Sequence, residues 1–291
     1  MVRFMHYKWL YFLISALVIV PGVISLLLFG LKPSIDFTGG TLWEIRVSSA
    51  QSQVNSGSIQ KVFGDGGFSA EVQLSGTNQF LISTAPLNSA QRAALTQKLK
   101  SLVGTFTETR FETLGPRLGS ELLSKAVVAV ILAMLLILAY VAYRFRNFLF
   151  GVSAILAVFH DTLVLLGVFS LLGHFFGVEV DTLYVTAVLT TISFSVHDTI
   201  VVFDRIREIR RRVDISLEAA IDQAVGETLV RSLNNSLTVI FMLIALLVLG
   251  GDSLRYFVLA LLVGAITGTY SSTFNAAPLL VVLSNLRKKK S

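Results

Sequence analysis

Six stretches of this sequence are too long, too apolar and too free of charge for a water-soluble protein. A helix needs about 20 apolar residues to cross the hydrocarbon core of a bilayer. Trp9–Leu31 runs for 23 residues without a charge. Ala126–Tyr143, Ser232–Gly250 and Tyr256–Leu286 also hold none, and the last is long enough to tilt or to continue past the membrane. Phe148–Leu172 is uncharged but for His160 and Asp161, and Thr182–Phe203 but for His197 and Asp198. Only 14% of the 291 residues are charged, against about a quarter in a typical soluble domain. The first run is longer than a signal-peptide core, and no small-x-small cleavage site closes it, so it reads as a retained anchor. The chain has no cysteine, which excludes disulfides and thiolate metal sites.

The short loops give an orientation. Arg3 and Lys8 precede the first span, and Arg144 and Arg146 separate the second from the third. Arg205, Arg207, Arg210, Arg211, Arg212 and Arg231 lie between the fourth and fifth, and Arg287, Lys288, Lys289 and Lys290 follow the sixth. The loop Gly173–Asp181 carries no Lys or Arg, and Gly251–Arg255 carries only Arg255. Positive charge gathers on the cytoplasmic side of membrane proteins, so both termini are expected in the cytoplasm. The net charge of +6 is accounted for by these loops, and no nucleic-acid partner is expected. The arginine run itself reads as a solvated cytoplasmic face.

The organisation expected is an N-terminus and first span in 1–32, an extracytoplasmic domain in 33–122, and spans two to six in 123–291. The domain reads as βαββαβ. Thr41–Ser48 alternates with period two, Ser58–Phe63 is a weak helix, and Phe68–Leu74 and Gln79–Thr84 are strands joined through Ser75-Gly76-Thr77-Asn78. Asn88 caps a helix through Val103 with Ala94, Leu95, Leu99 and Leu102 on one face, and Thr105–Thr113 is a last strand. That order predicts a small ferredoxin-like α+β unit. It contains no histidine and its carboxylates are scattered, so no enzyme is expected. His-Glu-x-x-His, Gly-x-Ser-x-Gly and P-loop patterns are absent from the chain, and no cofactor is expected.

The functional signal lies in the titratable residues of the spans. A charged side chain at the bilayer centre costs at least about 2.5–3.5 kcal/mol on insertion scales. His160-Asp161-Thr162 and His197-Asp198-Thr199 repeat one triplet 37 positions apart. Asp198 shares a helix face with Thr191 and Ser195. Arg231, Asn235 and Thr238 share a face at the start of the fifth span, where Arg231 is placed to pair with Asp198. The plain alternative is an ion pair that only ties two helices together; for Asp161 a structural role is about as well supported. Neighbouring residues on a helix point about 100° apart, so a His-Asp doublet is a poor metal site. Gly264, Gly268 and Ser272 have the small-xxx-small spacing of close helix packing.

The segments Ile35-Asp36-Phe37-Thr38-Gly39-Gly40-Thr41 and Gly115-Pro116-Arg117-Leu118-Gly119-Ser120-Glu121-Leu122 resemble signatures of the SecF family, subunits of the bacterial SecDF preprotein translocase accessory complex. Asp198–Glu208, reading DTIVVFDRIRE, is the most specific match, and GAITGTYSS at Gly264–Ser272 fits the last helix. The resemblance spans essentially the whole chain and places it in the resistance-nodulation-division superfamily. It implies a proton-motive-force-coupled subunit assisting preprotein export across the bacterial inner membrane. Implied partners are a SecD-like six-span subunit, a SecYEG-type channel, an unfolded preprotein and membrane lipid. The family's intramembrane aspartate maps onto Asp198 and its functional arginine onto Arg231, with Asp161 and His197 as further candidates for a proton relay. The family usually has Asn where His197 stands. Two other readings stay open: a small-molecule or lipid exporter of the same superfamily, though those chains usually carry two large outside domains, and an assembly subunit without a proton path.

Overall fold

The computed structural model describes residues 3–47, 55–74, 78–251 and 254–290, with side chains as far as Arg287. The elements in chain order are α1 (Lys8–Phe29), α2 (Ile35–Thr38), β1 (Gly40–Val47), α3 (Ser56–Gly64), β2 (Ala70–Leu74), β3 (Gln79–Thr84), α4 (Ser89–Val103) and β4 (Phe106–Leu114). They continue with α5 (Pro116–Phe145), α6 (Phe148–Phe176), α7 (Thr182–Arg212), α8 (Leu217–Leu249), α9 (Arg255–Ser271), a π-helical segment (Ser272–Ala276) and α10 (Ala277–Lys290). The chain divides into two units, Pro33–Val127 and the remainder.

In the first unit four antiparallel strands take the order β2-β3-β1-β4. With α3 and α4 this gives the βαββαβ, ferredoxin-like arrangement expected from the alternation. Trp43, Ile45 and Val47 of β1 and Phe80 and Ile82 of β3 pack with Ile59 and Phe63 of α3 and Leu95, Leu99 and Val103 of α4. Asn88 caps α4, accepting the Gln91 N–H at 2.9 Å while the Gln91 side chain accepts the Asn88 N–H at 2.9 Å. The buried stripe of α4 corrects the expected face. Ala94 and Leu102 are exposed, because the Leu95-Leu99-Val103 spacing of four fixes the helix phase and places them off it. Ser48 and Ser75-Gly76-Thr77 of the expected hairpin lie outside the described residues. Where the register shifts between Glu44 and Ile45, Thr109 of β4 is left over as a bulge.

The two glycine-containing segments at either end of this unit meet. Gly39 and Gly40 have φ of 73° and 144°, conformations that side chains resist. A Cβ at Gly39 would stand 2.7 Å from the Pro116 Cα, and one at Gly119 would stand 2.8 Å from the Gly39 N. Glycine at both places lets the α2–β1 turn press onto the first turn of α5.

The second unit holds the membrane helices. Among the described residues six helices are long and apolar enough to cross a bilayer, α9 and α10 forming one of them with the π segment between. Helices run beyond the apolar stretches: α5 starts ten residues before Ala126, α7 continues to Arg212, and α8 starts at Leu217, capped by the Ser216 side chain. The basic run Arg205–Arg212 is therefore helix and not loop. Half of the most apolar window of α6 and of α7 is buried, against 6% for α5 and 11% for α8. The central helices are thus α6, α7 and α9, while α1, α5 and α8 present most of their apolar surface outward. Helix α1 lies on α6 through glycine. A Cβ at Gly22 would stand 2.9 Å from the Gly167 Cα, and one turn on the Ser25 and Ser170 hydroxyls bond at 2.8 Å.

Candidate functional site

Helix α7 begins at Asp181, whose carboxylate accepts the Tyr184 N–H at 2.8 Å. From there the 3.6-residue period places Thr191, Ser195 and Asp198 on one buried face. Helix α9 covers that face with small residues. A Cβ at Gly264 would stand 2.0 Å from Thr191 Oγ1, and one at Gly268 would stand 3.3 Å from the Ser195 Cα. No side chain fits at Gly264 unless α9 moves away from α7. The Thr191 and Ser195 hydroxyls are buried without a hydrogen-bond partner among the described residues. They are polar atoms held in an apolar interface at a cost, and they lead along the helix to Asp198.

Asp198 is 8% exposed. Its Oδ2 accepts a hydrogen bond from Ser232 Oγ at 2.7 Å and a longer one from Ser236 Oγ at 3.4 Å. The buried face of α8 includes Thr228, Ser232 and Ser236, and this revises the expected pairing. Arg231, Asn235 and Thr238 are exposed, and among the described residues no ion pair joins Arg231 to Asp198. The reason is helix phase: Arg231 and Ser232 are neighbours about 100° apart, and the serine takes the inward position. Arg231 instead lines a cleft of about 920 Å³ together with Thr228, which stands one turn before Ser232. His197 is exposed, and among the described residues no contact joins it to the Asp198 carboxylate.

Asp161 on α6 is 1% exposed. Its Oδ1 lies 2.9 Å from His160 Nδ1, and its Oδ2 accepts Ser271 Oγ at 2.5 Å. Ser271 is the last residue of α9, directly before the π segment. A π turn holds one residue more than an α turn and is frequent at functional sites. Inside it, Asn275 is buried and its Oδ1 accepts Ser15 Oγ of α1 at 3.0 Å, while its Nδ2 has no partner among the described residues. Ser272 is fully buried, and its hydroxyl donates to the Thr269 carbonyl at 3.1 Å. The polar interior of the bundle thus joins α1, α6, α7, α8 and the sixth span. Sequence reasoning singled out Asp161, Asp198, Gly264, Gly268 and Ser272. It passed over Ser232, Ser236, Ser271, Asn275 and Ser15.

The donors around both aspartates are hydroxyls and one imidazole. Such groups can donate to a carboxylate or accept from a carboxylic acid. Among the described residues no three His, Asp or Glu side chains gather as they would around a metal ion.

Comparison with known proteins agrees with this architecture. Residues 94–286 match the family model "Protein export membrane protein SecD/SecF, C-terminal", and residues 24–51 match the "SecD/SecF GG Motif" model. The chain is 45% identical to the protein translocase subunit SecF of Thermobaculum terrenum, over 98% of this chain and 95% of that one. It is 40% identical to the SecF subunit of Anaerolinea thermophila, over 97% and 94%. Among solved structures it is similar to SecDF of Thermus thermophilus, described as a translocon-associated membrane protein. The identity there is 34% and the TM-score 0.87, over 98% of this chain and 39% of that longer one. A SecDF structure in a super-membrane-facing form gives a TM-score of 0.71, also at 34% identity. The chain belongs to the SecD/SecF family of protein export membrane proteins.

Proposed function

We propose that this chain is a non-catalytic accessory subunit of the bacterial Sec translocase that couples the proton motive force to preprotein export through Asp198. It is a multi-pass protein of the cytoplasmic membrane, and the relatives that match over almost their whole length are SecF subunits of the protein translocase. Because the longer SecDF chain carries a matching stretch within a single polypeptide, the partner of this chain is a SecD-like six-span subunit. The outward apolar faces of α1 and α8 offer the surface for it. The larger assembly includes a SecYEG-type channel, and the cargo is an unfolded preprotein on the far side of the membrane.

The single observation that carries the coupling role is a buried carboxylate held, among the described residues, by serine hydroxyls alone, at the end of a hydroxyl-lined face. Hydroxyls can donate to a carboxylate or accept from a carboxylic acid, so the site tolerates both protonation states with little rearrangement. Arg231 stands at the adjoining cleft, not in the site. A cation brought up to a carboxylate favours its charged form and one withdrawn favours the neutral form. Movement of α8 against α7 would therefore load and release a proton. Each charge crossing the membrane supplies about 2.3 kcal/mol per 100 mV, enough to bias a two-state domain. Asp161, tied on both oxygens, serves as a fixed anchor for the sixth span.

The test is Asp198→Asn, followed by potential-dependent export and by protein abundance in the same cells. The expected result is normal abundance with export stimulation lost. Normal export at normal abundance would remove Asp198 from the mechanism.

A further inference from the structure

The cleft lined by Arg231 carries more positive charge than its own ion pairs use. Its walls are the end of α5, the last three turns of α7 and the first part of α8. Arg144 pairs with Asp204 at 2.8 Å. Arg205 pairs with Glu208 and Glu227, and Arg212 pairs with Glu208 at 2.7 Å. Those pairs consume every carboxylate that lines the cleft. Arg207 donates only to the Arg144 backbone carbonyl, at 3.0 Å. Among the described residues Arg207, Arg211 and Arg231 meet no carboxylate. Arg207, Arg211 and Arg231 thus line one cleft without a carboxylate of their own.

The geometry points to an occupant: the phosphate of an anionic phospholipid. A guanidinium binds phosphate in a two-pronged fashion that a lone lysine cannot copy. Basic pockets between membrane helices at the cytoplasmic surface suit anionic headgroups. The apolar surroundings favour a lipid over a free anion. From the cleft, α5 presents exposed Tyr143, Tyr140 and Leu136 along its length, while the face of α8 that holds Arg231 continues through exposed Asn235 and Thr238. Acyl chains can follow the α5 surface while the phosphate stays on the arginines; a dissolved phosphate would not use it. The site does not depend on Asp198 carrying protons. It does give Arg231 a competing anion, so a bound headgroup holds this arginine at the cleft.

Native mass spectrometry of the intact complex, with its partner half, tests this against phosphatidylglycerol, phosphatidylcholine of matched chains, and inorganic phosphate. Each arginine near an anionic lipid surface is worth roughly a factor of five, so three should retain phosphatidylglycerol over phosphatidylcholine by on the order of a hundredfold. Arg207→Gln with Arg211→Gln should reduce that preference to about fivefold, while Arg207→Lys with Arg211→Lys should keep most of it. The lysine pair guards against a folding defect in the glutamine pair. Equal retention of the two lipids overturns the site, as does a preference untouched by the glutamine pair. Binding of inorganic phosphate without a lipid preference assigns the cleft to a soluble anion and overturns the lipid. A preference present in the isolated chain but absent in the complex means that the partner fills the cleft, and overturns it equally.

Discussion

The same three residues, His-Asp-Thr, occur on α6 and on α7 and are used differently. Both threonines behave alike: Thr162 donates to the Val158 carbonyl at 2.9 Å and Thr199 to the Ser195 carbonyl at 2.8 Å. The aspartates then part. Asp161 is bonded on one oxygen by its own neighbour His160 and on the other by Ser271 of another helix. Asp198 takes both its hydrogen bonds on Oδ2, from two serines of one helix, and its neighbour His197 turns outward. An identical tripeptide thus supplies a clamp in one helix and a loosely held carboxylate in the next. What decides is which helix lies opposite and what it offers at that height.

The largest expected effect follows from the clamp. Asp161→Ala strands the His160 ring, at about 1–3 kcal/mol, and leaves Ser271 only its longer contact with the Gly268 carbonyl at 3.4 Å. Asp198→Ala strands only Ser232 and Ser236, and serines in a helix can turn to the carbonyl one turn back, so it should cost about 1 kcal/mol or less. Thermal unfolding of both variants in detergent measures this, and the comparison breaks if Asp198→Ala is the more damaging. Gly264→Ala comes next. Overpacking against Thr191 should cost about 1–3 kcal/mol, and Thr191→Ala in the same chain should recover most of it, whereas Gly268→Ala, with more room, should cost less. A smaller effect separates the two serines. Ser232→Ala loses the 2.7 Å bond and Ser236→Ala only the 3.4 Å one, so export stimulation should fall further in the first; the reverse order would show that the geometry around Asp198 shifts during work. The smallest effect is His197→Gln. An exposed side chain away from the carboxylate should change stability by no more than about 0.5 kcal/mol and leave export intact, while a strong loss would return His197 to the relay.

Much of the fold was legible because lipid and sheet impose simple rules. Uncharged runs long enough to span located the helices, and period-two alternation located β1 and β4 with nearly their final bounds. The helix ends were less legible, since α5, α7 and α8 extend through polar residues that keep their helical hydrogen bonds outside the apolar zone. In the site, charge drew attention to Arg231 while the phase of α8 favoured Ser232, and serine is too ordinary a residue in membrane helices to stand out. The sixth span read as one smooth helix. Its run Ser271-Ser272-Thr273-Phe274-Asn275 did carry a signal, four polar residues in five, but such a run does not distinguish a π turn from a polar helix face.

That π segment also bears on how the chain tolerates changes in length. Removing one residue from an ordinary helix rotates everything beyond it by about 100° and draws it in by about 1.5 Å. On α6 such a loss before His160 would swing Asp161 away from Ser271. The segment Ser272–Ala276 already holds a surplus residue, so losing one there would close the wide turn into a regular one. Ala277, Leu280 and Val281 would keep their buried positions. A span with a spare residue can shorten by one without losing register, while the rest of the bundle stays fixed in length.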